Sequence, residues 1–211
     1  VLEINNPPRR INYLMSFVRL RKLMREKKYD LIHAHYIYPG ITAISQSKIP
    51  VIFSYMGSEI LGSPDGKGNI TILGRVNIIL SKAIQHLVTE IIVKSENLFE
   101  QLRTRKKINI VPNGVDYEVF KPLDRNSCRK QLDLNIEDII VLFLGRIRDK
   151  RKNYNLAKSA VFKFNKTKAN LKDIILISPD SISPEEVPIY LNASNVLLQT
   201  SLWEGSPNVI K

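Results

Sequence analysis

Short apolar runs alternate with helix-like stretches along this chain, and that alternation limits the folds open to it. Strand-like runs fall at 29–35, 51–55, 90–94, 108–111, 139–144, 174–177 and 195–198. Helices are expected at 11–28, 39–47, 71–88, 96–103, before about 164, and at 185–193. A strand that is followed each time by a helix implies parallel sheets covered by helices. The run 139–144 is continuous and apolar, as a strand covered on both faces should be. The expectation is an α/β chain of two Rossmann-like domains, 1–122 and 123–211. No internal repeat or low-complexity segment breaks the pattern.

Composition narrows the partners. At 211 residues and 44% hydrophobic content there is ample material for a core. The formal net charge of +12 suits nucleic acid, an anionic membrane surface or phosphorylated substrates. Against a nucleic-acid-binding module, the basic residues are scattered and lack interleaved aromatics. Cys128 has no second cysteine to pair with, which fits a reducing, cytoplasmic compartment. No apolar run approaches the roughly 20 residues that span a bilayer. No secretory signal opens the chain, and Val1 stands where an initiator Met would.

The first helix, 11–28, carries Ile11, Leu14, Met15, Val18 and Met24 at helical spacing. Its other positions include Arg9, Arg10, Arg19, Arg21, Lys22, Arg25, Lys27 and Lys28, against Glu26 alone. Such a face is either simply solvated or set against anionic lipid headgroups, worth about 1 kcal/mol per basic residue. Thr71 to Val88 reads as a longer helix bearing Ile72, Leu73, Val76, Ile79, Leu80, Ala83 and Leu87.

Chemistry concentrates at 203–211. An apolar strand, a loop and a helix start are compressed there, with Ser206 suited to an N-cap and Pro207 to the first helical position. Glu204 sits at the mouth of the turn, and Gly205 lets a ligand approach the backbone. A carboxylate beside open helix amides suits a ligand with both hydroxyls and phosphate.

Glu204-Gly205-Ser206-Pro207-Asn208 resembles the donor-site loop of GT-B glycosyltransferases in the retaining family 4 group. There it opens a Glu-x7-Glu motif, whose second glutamate would fall just after Lys211. Asp30-Leu31-Ile32-His33-Ala34-His35 resembles that family's DxIHAH strand. Pro112-Asn113-Gly114-Val115-Asp116, with Phe120 and Pro122, resembles its PNGVDxxxFxP signature. Gly145-Arg146, followed by Lys152-Asn153, is similar to its diphosphate-binding GR…K pair. The spacing from Arg146 is one longer than the commonest form with Lys152, and usual with Arg151. One departure stands out: where relatives commonly carry His-Gly-Ser-Asp, this chain has Met56-Gly57-Ser58-Glu59. That removes a proton-transfer group. The resemblance covers essentially the whole chain and makes it a GT-B fragment truncated at both ends, expected to be inactive by itself.

The resemblance implies a hexosyltransferase-type enzyme. It would move a sugar from a nucleotide sugar to a glycan or lipid-linked acceptor with retention, in polysaccharide or lipid-linked glycan synthesis. Arg146, Lys152 and Glu204 would be catalytic, and Gly145, Gly205, Ser206, Pro207 and Asn208 would bind the donor. His35, Gly57, Ser58 and Asn113 would face the acceptor or cleft. No cofactor and no metal are implied, since His33 and His35 alternate onto one face without a third ligand. Peripheral contact with the inner face of an anionic membrane is expected, and nucleic acid is not. A nucleic-acid-binding module and a nucleotide-sugar epimerase are the alternatives.

Overall fold

A computed structural model describes residues 10–65, 68–167 and 172–211. Arg9 of the basic helix face, and Gly66 and Lys67 of a flexible loop expected at 62–68, lie outside the described residues. So do the side chains of Arg10 and Ile11. The chain divides into two compact units.

The first unit holds a parallel sheet of β1 (Ile32–His35), β2 (Val51–Ser54), β3 (Glu90–Val93) and β4 (Lys107–Ile110), in that order. Its helices are α1 (Arg10–Glu26), α2 (Ile37–Ile44), α3 (Ser58–Leu61), α4 (Ile72–Ile84) and α5 (Glu96–Glu100). Phe53, Tyr55, Ile84, Ile91, Val93 and Leu98 form the centre of its core. Phe53 and Tyr55 meet edge to face at 4.6 Å, a preferred aromatic geometry. The α2 helix crosses so close to β2 that a Cβ at Gly40 would lie 2.5 Å from the Phe53 ring. Thr71 caps α4 by accepting from the Gly74 N–H at 3.1 Å.

Both long helices of this unit turn unexpected faces inward. Ser16 and Leu20 are the buried residues of α1, and Ser16 hydrogen-bonds Thr42 of α2 at 2.8 Å. Leu14, Met15 and Val18 are exposed. On α4 the buried residues are Gly74, Ser81 and Ile84.

The second unit runs α6 (Arg125–Gln131), β5 (Ile139–Leu142), α7 (Tyr154–Thr167), β6 (Ile174–Ile177), α8 (Val187–Ala193) and β7 (Val196–Leu197). Its sheet is parallel in the order β6-β5-β7. The strand order reverses at β5, the arrangement that opens a crevice at the strands' C-terminal ends. The stretch 121–137 reads as a linker with one short helix capped by Ser127; that helix, α6, is instead capped by Asp124, which accepts from the Ser127 N–H at 2.9 Å and its hydroxyl at 2.7 Å. A carboxylate can take both donors at once, and a serine hydroxyl cannot.

The first unit ends at Asn113 rather than at 122. Residues up to Leu123 are tied to α8: Asn192 accepts from the Leu123 N–H at 2.9 Å and donates to the Lys121 carbonyl at 3.1 Å. Arg129 is buried. Its guanidinium donates to the carbonyls of Ala193 and Ile136 and to the Asn195 side chain, joining α6, α8 and the entry to β5. Asn195 Oδ1 also accepts the Ile140 N–H at 2.8 Å. The planar fork of arginine suits such a fixed set of acceptors.

Candidate functional site

The loop leaving β5 is shaped by a chain of turns. The Asp149 N–H donates to the Arg146 carbonyl at 2.9 Å, and the Lys152 N–H donates to the Asp149 carbonyl at 2.9 Å. The Asp149 carboxylate also accepts the Arg151 N–H at 3.0 Å and pairs with the Arg151 guanidinium at 3.3 Å. Asn153 then takes φ 55° before α7 begins at Tyr154. A left-handed position favours Asn or Gly, which suits Asn153 to follow Lys152 here. Gly145 leaves space for the lysine stem, since an added Cβ would stand 3.1 Å from Lys152 Cγ.

The loop leaving β7 is bonded onto this one. The Thr200 hydroxyl donates to the carbonyls of Lys152 and Asn153, each at 3.0 Å, and the Leu202 N–H donates to the Arg151 carbonyl at 2.9 Å. These bonds bring Glu204 to both cations. Its Oε1 accepts from Lys152 Nζ at 2.6 Å, the Ser201 hydroxyl at 2.7 Å and Gln199 Nε2 at 3.1 Å. Its Oε2 meets the Arg151 guanidinium at 2.6 Å. The Arg151 guanidinium also lies 5.3 Å from the Trp203 ring centre. Burial alone opposes ionisation of Glu204, but hydrogen bonds from Lys152 and Ser201 and the charges of Lys152 and Arg151 outweigh it. The carboxyl is therefore held below its ordinary range.

A cavity of about 1090 Å³ lies wholly within the second unit and meets the β5 loop at Gly145 and Arg146. Leu144, Gly145 and Arg146 line it from the end of β5, Pro179–Ile182 from the end of β6, and Asn208 from the final turn. It matches the upper end of ligand-pocket sizes, about 300–1,000 Å³.

Among the donor-side residues expected from sequence, the structure joins Lys152 to Glu204 directly and places Gly145, Arg146 and Asn208 on the cavity. Gly205 is buried, and Ser206 and Pro207 connect Glu204 to the final turn. The expected α-helix with Ser206 as its cap is absent from these residues. Asn208–Ile210 forms a 3₁₀ turn preceded by Pro207, with no side-chain cap. It is closed by the Lys211 N–H donating to the Asn208 carbonyl at 3.3 Å, a three-residue step rather than the four of an α-helix. Asp149, Gln199 and Ser201 were not picked out from sequence. Gln199 and Ser201 carried a faint signal as polar residues straddling the end of an apolar strand, within reach of Glu204.

In the first unit, His35 closes the C-terminal end of β1, with its ring 4.3 Å from that of His33. His33 Nε2 shares a hydrogen bond with the Ser54 hydroxyl at 2.8 Å. Both imidazoles are held below their usual pKa, first by burial; Lys94 adds to this for each, and His33 for His35. Gly57 takes φ 127° and starts α3, followed by Ser58. Glu59 folds back under this loop, where Oε2 accepts from the Gly57 N–H at 2.9 Å and the Met56 N–H at 3.3 Å. Burial pushes its carboxyl up, against the backbone bonds. Asn113, half-buried, ends the unit. Among the described residues, no three of His, Cys, Asp or Glu gather as a metal-sized group.

The parallel sheets covered by helices have clear counterparts among solved structures. Sucrose-phosphate synthase from Thermosynechococcus elongatus superposes with a TM-score of 0.74 at 18% identity, over 94% of this chain and 57% of that one. The catalytic domain of starch synthase IV from Arabidopsis thaliana gives 0.62 at 13% identity, over 94% and 57%. The fold is of the GT-B type. Residues 2–119 match the family model described as Glycosyltransferase Family 4, and the chain belongs to that family. It is 26% identical over 231 residues to the UDP-Gal:alpha-D-GlcNAc-diphosphoundecaprenol alpha-1,3-galactosyltransferase of Escherichia coli, covering 95% of this chain and 59% of that protein. The chain thus spans little more than half the length of that relative. Among the described residues, no helix is long and apolar enough to cross a membrane.

Proposed function

We propose that the whole protein transfers a hexose from a nucleotide-diphosphate donor to an acceptor hydroxyl, with retention at the anomeric carbon. The observation that carries this reading is the contact of Lys152 and Arg151 with Glu204, in the unit whose cavity Arg146 lines. An incoming diphosphate competes with Glu204 for Lys152. Drawing the lysine away frees Glu204 Oε1 to accept from sugar hydroxyls. Lys152 and Arg146 then offset the charge that grows on the leaving diphosphate, placed where it develops. This reading assigns that charge to side chains rather than to a metal ion. The acceptor oxygen attacks from the leaving-group face as the anomeric carbon–oxygen bond to the diphosphate breaks. The acceptor's proton passes to the departing phosphate oxygen, so no protein nucleophile is needed.

The acceptor in this reading is a glycan or a lipid-linked sugar, met at an anionic membrane surface. Its support is the name of the Escherichia coli relative, which carries a UDP sugar and a diphosphoundecaprenol-linked acceptor. The test is product analysis on the whole protein with UDP-sugars, with and without a polyprenyl-diphosphate-linked sugar. The expected product is a longer glycan of retained configuration, formed only with acceptor. A changed donor sugar without acceptor would make the protein an epimerase. Tighter binding to random-sequence DNA than to nucleoside diphosphates would favour the nucleic-acid alternative.

A further inference from the structure

Two adjacent cations reach the same carboxylate, and they are held very differently. Lys152 meets Glu204 Oε1 through Nζ at 2.6 Å, and among the described residues its ammonium has no other contact. Its stem passes Gly145, where an added Cβ would stand 3.1 Å from Lys152 Cγ, and Gly145 also lines the cavity. Arg151 is fixed along its length. One carboxylate, Asp149, grips both of its ends: Oδ1 accepts the Arg151 backbone N–H at 3.0 Å, and Oδ2 meets Nη2 at 3.3 Å. Nη1 meets Glu204 Oε2 at 2.6 Å. The Arg151 carbonyl accepts the Leu202 N–H at 2.9 Å, and the guanidinium lies 5.3 Å from the Trp203 ring centre.

A planar fork that joins two carboxylates has one orientation, whereas an ammonium on a flexible four-carbon stem has many. Lys152 can leave by giving up its contact with Glu204. Arg151 can leave only by giving up Asp149 and Trp203 as well. The other donors to Glu204 are local to its own loop: the Ser201 hydroxyl at 2.7 Å and Gln199 Nε2 at 3.1 Å, both on Oε1, with Gln199 also bonded to Ser201 at 2.7 Å. Withdrawal of Lys152 thus vacates one acceptor position on Oε1 and leaves Oε2 where it was. Burial opposes the charge of Glu204, and hydrogen bonds from Lys152 and Ser201 with the charges of Lys152 and Arg151 overcome it. Once Lys152 has gone, Arg151 is the cation still in contact with the carboxylate.

We propose that Arg151 is a positioning residue: anchored by Asp149, it holds Glu204 Oε2, so that Oε1 faces the sugar hydroxyls when Lys152 moves to the diphosphate. Arg151 acts through Glu204 and does not touch the diphosphate. This rests on the reading of Glu204 as the sugar-facing carboxylate, and it divides the work between two cations that sequence spacing leaves as alternatives.

The experiment compares Arg151→Ala, Arg151→Lys and Asp149→Asn with Lys152→Ala in the whole protein, with the melting temperature checking that each variant folds. The first readout is the NMR shift of the Glu204 carboxyl carbon followed against pH, which needs neither donor nor turnover. Its midpoint should rise in Arg151→Ala, because the ionised form loses a charge partner, and stay near the parent's in Arg151→Lys. The second is UDP binding. Arg151→Ala should keep it within about threefold of the parent, while Lys152→Ala should weaken it by about fivefold or more. The third is turnover with the UDP-sugar and acceptor of the product analysis. It should fall by about tenfold or more in Arg151→Ala, by less in Asp149→Asn, and should not be restored in Arg151→Lys, since one ammonium cannot bridge two carboxylates. An unmoved carboxyl midpoint in Arg151→Ala would overturn the proposal. So would a loss of UDP affinity equal to that of Lys152→Ala, which would make Arg151 a diphosphate ligand, or full turnover in Arg151→Lys, which would mean that charge without geometry suffices. If UDP binds none of these proteins, the functional reading fails, and the carboxyl titration still decides whether Arg151 governs Glu204.

Discussion

Two glutamates stand just beyond parallel strands, one in each unit, and their environments drive them in opposite directions. Glu59 follows β2, is 2% exposed, and through Oε2 meets the Met56 and Gly57 N–H groups of its own loop, with Ser58 adding a side-chain hydrogen bond. Its Oε1 has no hydrogen-bond partner among the described residues. Glu204 follows β7 and meets Lys152, Arg151, Ser201 and Gln199. Burial raises the first carboxyl; in the second, burial is overridden by hydrogen bonds and cations. Burial alone therefore does not decide a carboxyl's charge: cations and hydrogen bonds favour the ionised form of Glu204.

Isosteric replacement should break this comparison most visibly. Glu204→Gln takes the counter-charge from half-buried Lys152 and leaves Arg151 with Asp149 alone, and should destabilise the second unit by about 2 kcal/mol in urea unfolding. Glu59→Gln removes an ionisation penalty while keeping an acceptor for Gly57, so it should stabilise the first unit by about 1 kcal/mol at neutral pH. Loss of stability in both variants would mean that Glu59 is charged and paired after all.

Acid should separate the two next. Glu59, with a raised folded pKa, contributes stability that is full below the unfolded carboxyl value of about 4.3 and is lost as pH rises through the folded value. Glu204, with a lowered one, contributes stability present above about 4.3 and lost as pH falls through its folded value. Amide exchange, corrected for intrinsic rate, should show the Gly57 N–H gaining protection towards pH 4. The Leu202 N–H should lose it below that. Parallel responses would contradict the assignment.

The smallest effect concerns Trp203. Its contact with Arg151 is worth about 0.5–1 kcal/mol at a partly exposed site. Trp203→Leu should therefore weaken the loop only slightly and leave Lys152 on Glu204. It is the chain's single tryptophan. Its fluorescence in the parent should change when a nucleoside diphosphate draws Lys152 away, and an unchanged signal at saturation would argue against that exchange.

Much of the fold was legible because period and strand length are local. The strand read at 51–55 forms over Val51–Ser54, and the helix read at 71–88 forms over Ile72–Ile84. What failed was decided elsewhere in the chain. The final turn is not the α-helix that Ser206 and Pro207 suggest, since a cap residue cannot supply the four-residue bonds that a helix needs. The spacing left Arg151 and Lys152 as competing partners, yet Glu204 takes both, one on each oxygen. Arg129 reads as one more helix-surface cation, and only the packing of α8 and β5 shows it buried. On α4 the clue was present: Gly74 and Ser81 share one face, and bulky apolar residues without an acid share the other.

The central claim is that Arg146 and Lys152 stabilise the departing diphosphate more than they hold the bound donor. It is tested by turnover and donor affinity, measured side by side on the whole protein for Arg146→Ala, Lys152→Ala and Arg148→Ala. Losing one charge-assisted contact, once bound donor covers the site, should cost about 3 kcal/mol, roughly a hundredfold in turnover, with a smaller loss of affinity. Lys152→Arg should rescue only in part, since a planar fork does not replace a compact ammonium. Arg148, on the same loop but not on the cavity lining that includes Arg146, should matter little. If the first two variants behave like Arg148→Ala, both cations are surface charges and the mechanism is wrong.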